Sequence, residues 1–378
     1  MKNFYLDSLP VYWRIKKNKK NKIKNIPTVF EYRFKEIKNI NLLIEKRSKR
    51  LLKFLNEIYK KESNIGFFQE GHTMAKGYGD DFLRFLYKQI KNKKIFDILE
   101  IGCGSCFILK KLKKDGFNVI GLDPSPLTIK KASKDGIKVY KGFFPNPKIK
   151  EKFDLIFHID VLEHVPQPIQ FLKDMRKKIN NSGYMIIKVP DCTDSVKNGD
   201  ISFITHQHVN NFTQNSLKNL VKFCGFKILK FEKSKFGSSL YCFAKKQNVV
   251  DKVRLDNSEN QKFFEKIEDN INNFKKVIHE SISKNRSIGF YVPLRAFPYI
   301  YYCRKIIRSY RLFDDTSHYR NNFFDGCDVK IENFNDLVKN PVDHLFIMSF
   351  PFGKKIRSRV INRIPSQRIT LLEDFLNY

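Results

Sequence analysis

Acidic residues are scarce in this sequence: 39 Asp and Glu stand against 72 Lys and Arg in 378 residues, a formal charge of +33. A balance that basic points to nucleic acid, to an anionic surface or to an anionic small molecule, unless it only reflects an AT-rich genome, which favours Lys, Asn, Ile and Phe. Nowhere do 18 apolar residues follow one another, so no helical membrane span is expected. The opening stretch MKNFYLDSLPVYWRIKKNKKNK is broken by Asp7 and Pro10 and has no signal-peptide core, so a cytoplasmic location is expected. The seven cysteines, at 103, 106, 192, 224, 242, 303 and 327, are odd in number and scattered, which argues against a disulfide framework and for reduced thiols. No unit of 20 to 50 residues recurs, so solenoids and propellers are excluded.

What is present is apolar surface in quantity. Hydrophobic residues make up 42% and aromatics 14%, enough for the cores of two or three globular units. The charge is uneven: residues 1–60 hold 17 Lys and Arg against 5 acids, a net +12 where an even spread would give about +5. Leu43, Leu51, Leu52, Leu55 and Ile58 form one stripe, which predicts a basic amphipathic helix near Asn41 to Lys61 within a partly helical N-terminal segment, residues 1–79.

From 80 to 246 short apolar runs alternate with helical patterns: FDILEIG, FILKKLKKDG, NVIGLD, PLTIKKASKDG, KVYKG, FDLIFHID, IQFLKDMRKKI and YMIIKVP. That alternation predicts a parallel sheet with crossover helices, punctuated by Gly116, Gly136 and Gly183 as left-handed helix caps. FKILKFEKS and SSLYCFAKK add an antiparallel pair at one edge, giving seven strands. Residues 247–284 read as a connecting helix, with Phe263, Phe264, Ile267, Ile271, Phe274 and Val277 on one side. A second, smaller α/β unit follows over 285–378.

The chemistry concentrates at strand ends. Glu100 is followed by Gly102, Cys103, Gly104, Ser105 and Cys106, and two glycines straight after a buried strand let a ligand approach the backbone at a helix N-terminus. Phe107 stands where a dinucleotide fingerprint needs its third glycine, so a pyrophosphate fits badly. Glu100 repels phosphate and suits an ammonium or sulfonium; Asp123, 23 positions on, ends the next strand, where it can accept from both hydroxyls of a ribose.

Through ILEIGCGSC, VIGLDPSP and FDLIFHIDVLEHVPQP the sequence resembles the class I S-adenosylmethionine-dependent methyltransferases. The resemblance implies that Glu100, Gly102, Gly104 and Asp123 hold the cofactor, with Gly142, Phe143 and His158 around its adenine and sulfur. Cys106 replaces the family's third glycine, and Phe143 replaces a usual polar residue. Phe143 either stacks on adenine or fills the core. Asp160, Glu163 and His164 either serve the site or cap and brace the following helix. Cys103 and Cys106 have no second ligand pair at zinc spacing, so no metal is expected.

The segment His206–Thr213 is similar to one in sugar C-methyltransferases, where a histidine is the proposed base; His208 matches it, with His206 second. Gln207 stands in place of that group's glutamate and Asn211 in place of its tyrosine. Without the glutamate, hydroxyl methylation is easier to support than carbon deprotonation. Residues 285–378 look like the extra Rossmann-like domain of the same group, but Val292, Pro293, Leu294 and Arg295 replace its glycine turn, so no second nucleotide site is expected. The group's N-terminal zinc cluster is absent too. Gln69, Glu70, His72 and Tyr78 are candidates for a lid over the cofactor or substrate. The expected function is methyl transfer to a small anionic sugar-type acceptor. The rivals are an RNA or protein methyltransferase that uses the basic N-terminal segment, and a non-catalytic binding protein on a decayed fold.

Overall fold

The computed structural model of the chain describes residues 4–11, 15–17, 29–61, 73–247 and 258–376. In the N-terminal segment lie β1 (Tyr5–Pro10), β2 (Ile15–Lys16), β3 (Val29–Ile37) and β4 (Leu42–Glu45). β3 pairs antiparallel with both β1 and β4. Its sequence alternates in period two: Phe30, Tyr32 and Phe34 are buried while Glu31, Arg33 and Lys35 face water. The segment is therefore strand as much as helix. The helix expected from Asn41 begins only at Lys49 (α1, Lys49–Lys61), and Leu43 belongs to β4 rather than to its stripe. Leu51, Phe54, Leu55 and Ile58 of α1 pack with Val11 and Phe30.

After α2 (Thr73–Ile90) comes the main sheet: β5 (Asp97–Ile101), α3 (Phe107–Lys114), β6 (Asn118–Asp123), α4 (Pro126–Lys134), β7 (Lys138–Lys141), β8 (Phe153–Ile159), α5 (Pro168–Lys178) and β9 (Ile179–Pro190). There follow α6 (Thr193–Asn198), β10 (Asn210–Asn211), α7 (Gln214–Phe223), β11 (Phe226–Lys233) and β12 (Ser239–Lys246). The seven strands run in the order β11-β12-β9-β8-β5-β6-β7. β5 to β9 are parallel, and β12 and β11 close one edge antiparallel. The chain builds outward from β5 to β7, then returns to β8 on the other side, so a switch point opens between the carboxyl ends of β5 and β8, where open α/β sheets place ligands.

Gly116 and Gly136 take the left-handed conformation (φ 89° and 61°) after α3 and α4. Gly183 does not end a helix: α5 runs directly into β9, and Gly183 lies inside that strand, where a Cβ would come within 2.9 Å of the Asp154 carbonyl oxygen.

α8 (Ser258–Ser283) leads to β13 (Ile288–Tyr291), α9 (Pro293–Tyr302), β14 (Arg311–Phe313), β15 (Phe323–Phe324), β16 (Ile331–Glu332), α10 (Phe334–Lys339), β17 (His344–Ile347), α11 (Gly353–Ile361), β18 (Arg368–Leu371) and α12 (Leu372–Leu376). Five of these strands form a wholly parallel sheet, β16-β14-β13-β17-β18, while β15 pairs with β2. α8 joins the units: Phe263 and Phe264 pack on the Phe34 ring at 5.4 and 5.9 Å, and Phe274 packs on Phe346 at 5.8 Å. Each fully buried ring of this kind is worth about 1.5–3 kcal/mol in transfer free energy. No described helix is long and apolar enough to cross a membrane.

Candidate functional site

The first part of the site grows from β5. Glu100 pairs in register with Gly121 on one side and Phe157 on the other, which buries its side chain between three strands. Its Oε2 has no hydrogen-bond partner. Burial pushes its carboxyl well above the usual range, with further pressure from Cys106 and Asp123. The turn after it is drawn in by the Gly102 N–H, which donates to the Leu122 carbonyl at 2.7 Å. At Gly102 (φ 74°) a Cβ would stand 2.5 Å from Val161 Cγ2, so the turn is closed to any side chain. Cys106, two residues past Gly104, also holds a left-handed conformation (φ 59°) and opens α3. Its Sγ lies 3.9 Å from that of Cys103, and both thiols are buried and free.

Asp123 ends β6 beside this turn. Its Oδ2 accepts from the Gly104 N–H at 2.9 Å; its Oδ1 accepts from the Ser125 N–H at 2.8 Å and the Thr128 hydroxyl at 3.1 Å. Burial raises its pKa, and those three donors oppose the rise. A carboxylate has about four acceptor positions, so one remains for a ligand hydroxyl. The Gly142 N–H (φ 140°) donates to the Asp123 carbonyl at 3.0 Å, which brings the end of β7 alongside. Phe143 is 48 % exposed there: it is not a core residue, and its ring borders the same end of the sheet.

The second part lies at the carboxyl end of β8. Asp160 takes a left-handed conformation (φ 51°) and its carboxylate meets the buried Lys188 ammonium at 2.5 Å. A single 3-10 turn, Leu162–His164, follows. The Asn210 amide clamps that turn by donating to the Leu162 and Val165 carbonyls, each at 2.7 Å. Glu163 and His164 make no helix cap. Glu163 is 1 % exposed and both carboxylate oxygens are unpartnered. Burial, then the Asp160 charge, pushes its carboxyl well above the usual range. The His164 Nδ1–H donates to the Gln207 carbonyl at 2.6 Å, and its ring lies 5.1 Å from that of His208, edge to face. Burial lowers His164 to about 4 and presses His208 well below the ordinary histidine value, helped by His164, Arg295 and Arg47. Both rings are therefore neutral near pH 7. A histidine held so low offers a lone pair but is a poor sink for a proton. Tyr78, on α2, stands nearby: its ring faces the Lys188 ammonium at 5.5 Å, and burial, then the Asp160 charge, raises its hydroxyl.

Several expected site residues have other work. His206 is fully buried, with Nδ1 toward the Glu45 carboxylate and Nε2 toward the Leu9 and Phe30 carbonyls at 3.1 and 3.2 Å. Neither nitrogen is left for a substrate, which removes His206 as a second base. Asn211 is buried in β10, donating to the Tyr32 hydroxyl (3.3 Å) and the Leu43 carbonyl (3.4 Å), and so belongs to the N-terminal sheet. Gln207 contributes its carbonyl to His164 rather than its side chain to His208. His158, next to last in β8 and paired in register with Ile101, is buried and turns its ring into the sheet–helix layer, 5.8 Å from Phe171 of α5. Burial lowers it to about 3. Gln69, Glu70 and His72 lie outside the described residues. Asn210, Lys188 and Arg47 were not among the sequence candidates; only the doubled asparagine at 210–211 gave a signal.

Residues 68–230 match the family model described as a methyltransferase domain. Similar curated proteins include the ubiquinone biosynthesis O-methyltransferase of Pelagibacter ubique, 34% identical over 106 residues that cover 26% of this chain and 43% of that protein. The protein of the same name from Azorhizobium caulinodans is 26% identical over 152 residues, covering 38% and 56%. The chain thus spans about half the length of the curated relatives it matches. Among solved structures, magnesium protoporphyrin IX methyltransferase from Synechocystis PCC 6803, with bound S-adenosylhomocysteine, is similar at 15% identity and a TM-score of 0.42, over 52% of this chain and 100% of that one.

Proposed function

We propose, from the methyltransferase domain at residues 68–230, that this chain transfers a methyl group from S-adenosylmethionine to a hydroxyl oxygen of a small polar acceptor, of the sugar or sugar-nucleotide class. The observation that carries this reading is the pairing of Glu100 and Asp123 at adjacent strand tips around a turn that admits no side chain at Gly102. The buried, unpartnered Oε2 of Glu100 suits the ammonium of the cofactor's methionine part, and the remaining acceptor position of Asp123 suits a ribose hydroxyl. Phe143 offers its exposed ring to the adenine face.

When bound, the cofactor supplies a sulfonium-activated methyl group. The chain's own part would be position: Glu100, Asp123 and the Gly102 turn would hold the cofactor, and the loops next to β8 would orient the acceptor hydroxyl toward its activated methyl group, the hydroxyl proton passing to water. His208 and His164, on the loops next to β8, present neutral lone pairs to that oxygen. In this reading His208 orients the hydroxyl rather than storing its proton. The names of the curated relatives, O-methyltransferases, favour oxygen as the methylated atom. The charge of Arg295, on α9, helps to lower the His208 pKa, and a cation on that side supports an acceptor that carries a phosphate or carboxylate. The test is mass spectrometry of a sugar-nucleotide pool incubated with enzyme and cofactor carrying a deuterated methyl group. A product heavier by one labelled methyl supports the reading, and methylation of RNA alone contradicts it.

A further inference from the structure

We propose that Glu163, His164 and His208 form a divalent-cation site at the carboxyl end of β8. One ligand atom from each of the three residues lies within 4.8 Å of the other two. Two come from the turn after β8 and the third from the loop ahead of β10, so no spacing motif announces the set.

The parts around the cluster are built for that task. Glu163 brings a fully buried carboxylate whose two oxygens meet no donor, an arrangement that costs free energy unless a cation or a donor satisfies it. The Gln207 carbonyl can only accept, so the 2.6 Å bond fixes the His164 proton on Nδ1, and Nε2 lies on the side of Glu163, 3.8 Å from its Oε1. A ligating histidine held through its other nitrogen by a backbone carbonyl is the usual outer support of a metal site. Asn210 braces the turn that carries two of the three ligands.

Nitrogen and oxygen ligands sit about 2.0–2.2 Å from zinc, so the donors of a tetrahedral ion stand about 3.3 Å apart. Two imidazoles and one carboxylate, with a fourth position open, suit zinc and its neighbours in the first transition row better than magnesium. Nearby fixed cations are largely neutralised: Arg47 Nε meets Glu45 at 2.6 Å, and Lys188 meets Asp160 at 2.5 Å. Arg295 remains for the acceptor's anion. Cys103 and Cys106 belong to the glycine turn and take no part.

What the cation would do rests on the methyl-transfer reading; that it binds does not. The lone pairs of His164 and His208 would then act on the acceptor oxygen through the ion, whose open position receives the hydroxyl and makes it more acidic.

The test uses the full chain, stripped with a chelator and dialysed, titrated with Zn²⁺ by calorimetry and with Co²⁺ by visible absorption. We expect one ion per chain, a Co²⁺ spectrum of four-coordinate N and O ligation, and at least tenfold weaker binding in each of His208→Ala and Glu163→Gln, with circular dichroism and S-adenosylmethionine affinity unchanged. A Cys103→Ser/Cys106→Ser variant should bind the ion as the parent does. The proposal is overturned by no stoichiometric binding, by equal affinity in the His208 and Glu163 variants, or by a thiolate-to-Co²⁺ band that disappears in the cysteine variant. Cation binding without cofactor binding would retire the methyl-transfer reading and leave this site standing.

Discussion

His206 turns its Nδ1 to the carboxylate of Glu45, 161 residues earlier in the chain, while His208, two positions on, faces His164 at the end of β8. One short loop therefore fastens the N-terminal sheet to the seven-stranded domain with one histidine and offers the other to the site. Arg47 completes the fastening, its Nε on Glu45 at 2.6 Å and its guanidinium also on the His206 carbonyl.

Glu45 keeps its ion pair with Arg47 when His206 is removed, but its other oxygen and the buried Leu9 and Phe30 carbonyls lose their partner. His206→Ala should lower unfolding stability by about 1–3 kcal/mol, read by denaturant titration. The cofactor affinity of the fraction that remains folded should be unchanged, since neither ring nitrogen faces the site.

His158 gives a pH-dependent prediction. Its folded pKa, about 3, lies below the unfolded value near 6.5, so the unfolded chain binds the extra proton between those limits. That contribution to stability is present above pH 6.5 and is lost as pH falls toward 3. In His158→Phe the loss is absent. The variant should gain on the parent by about 1.4 kcal/mol for each pH unit below about 6, a difference measurable as diverging melting temperatures between pH 6.5 and 4.5.

Gly102→Ala places a Cβ 2.5 Å from Val161 Cγ2 at a φ of 74°, so either the turn or the start of the loop after β8 must move. Cofactor affinity should fall at least tenfold by calorimetry, with the far-ultraviolet circular dichroism preserved. Unchanged affinity would separate the turn from the ligand.

Val292 is β-branched yet holds a left-handed conformation (φ 64°) between β13 and α9. That conformation costs a non-glycine residue about 1–2 kcal/mol. Val292→Gly should raise the melting temperature slightly, by about 1–2 °C, once the greater freedom of the unfolded glycine is offset.

Much of the fold was legible because its signals are local. FDILEIG, NVIGLD and FDLIFHID are buried runs with turn residues behind them, and the positions of Glu100 and Asp123 at strand tips follow from where those runs stop. β3 carried an equally local signal in VFEYRFKEI, whose strict alternation was outweighed by the count of basic residues around it. What no local pattern encodes is pairing across the chain. Asn211 opposes Leu43 in a two-residue strand, and that contact decides that His206 and Asn211 serve the N-terminal sheet while His208 and Asn210 serve the site. Glu163 was hidden for a related reason: a carboxylate beside a helix start reads as a cap, and only the three-dimensional placement leaves it uncapped and without a donor.

Calorimetric titration of the full chain and of Asp123→Ala with S-adenosylmethionine tests the central claim most directly. The parent should bind one cofactor per chain, and the variant, having lost the carboxylate that orders Gly104, Ser125 and Thr128, should bind at least a hundredfold more weakly. Absence of binding by the folded parent, or equal affinity in the two proteins, would contradict it.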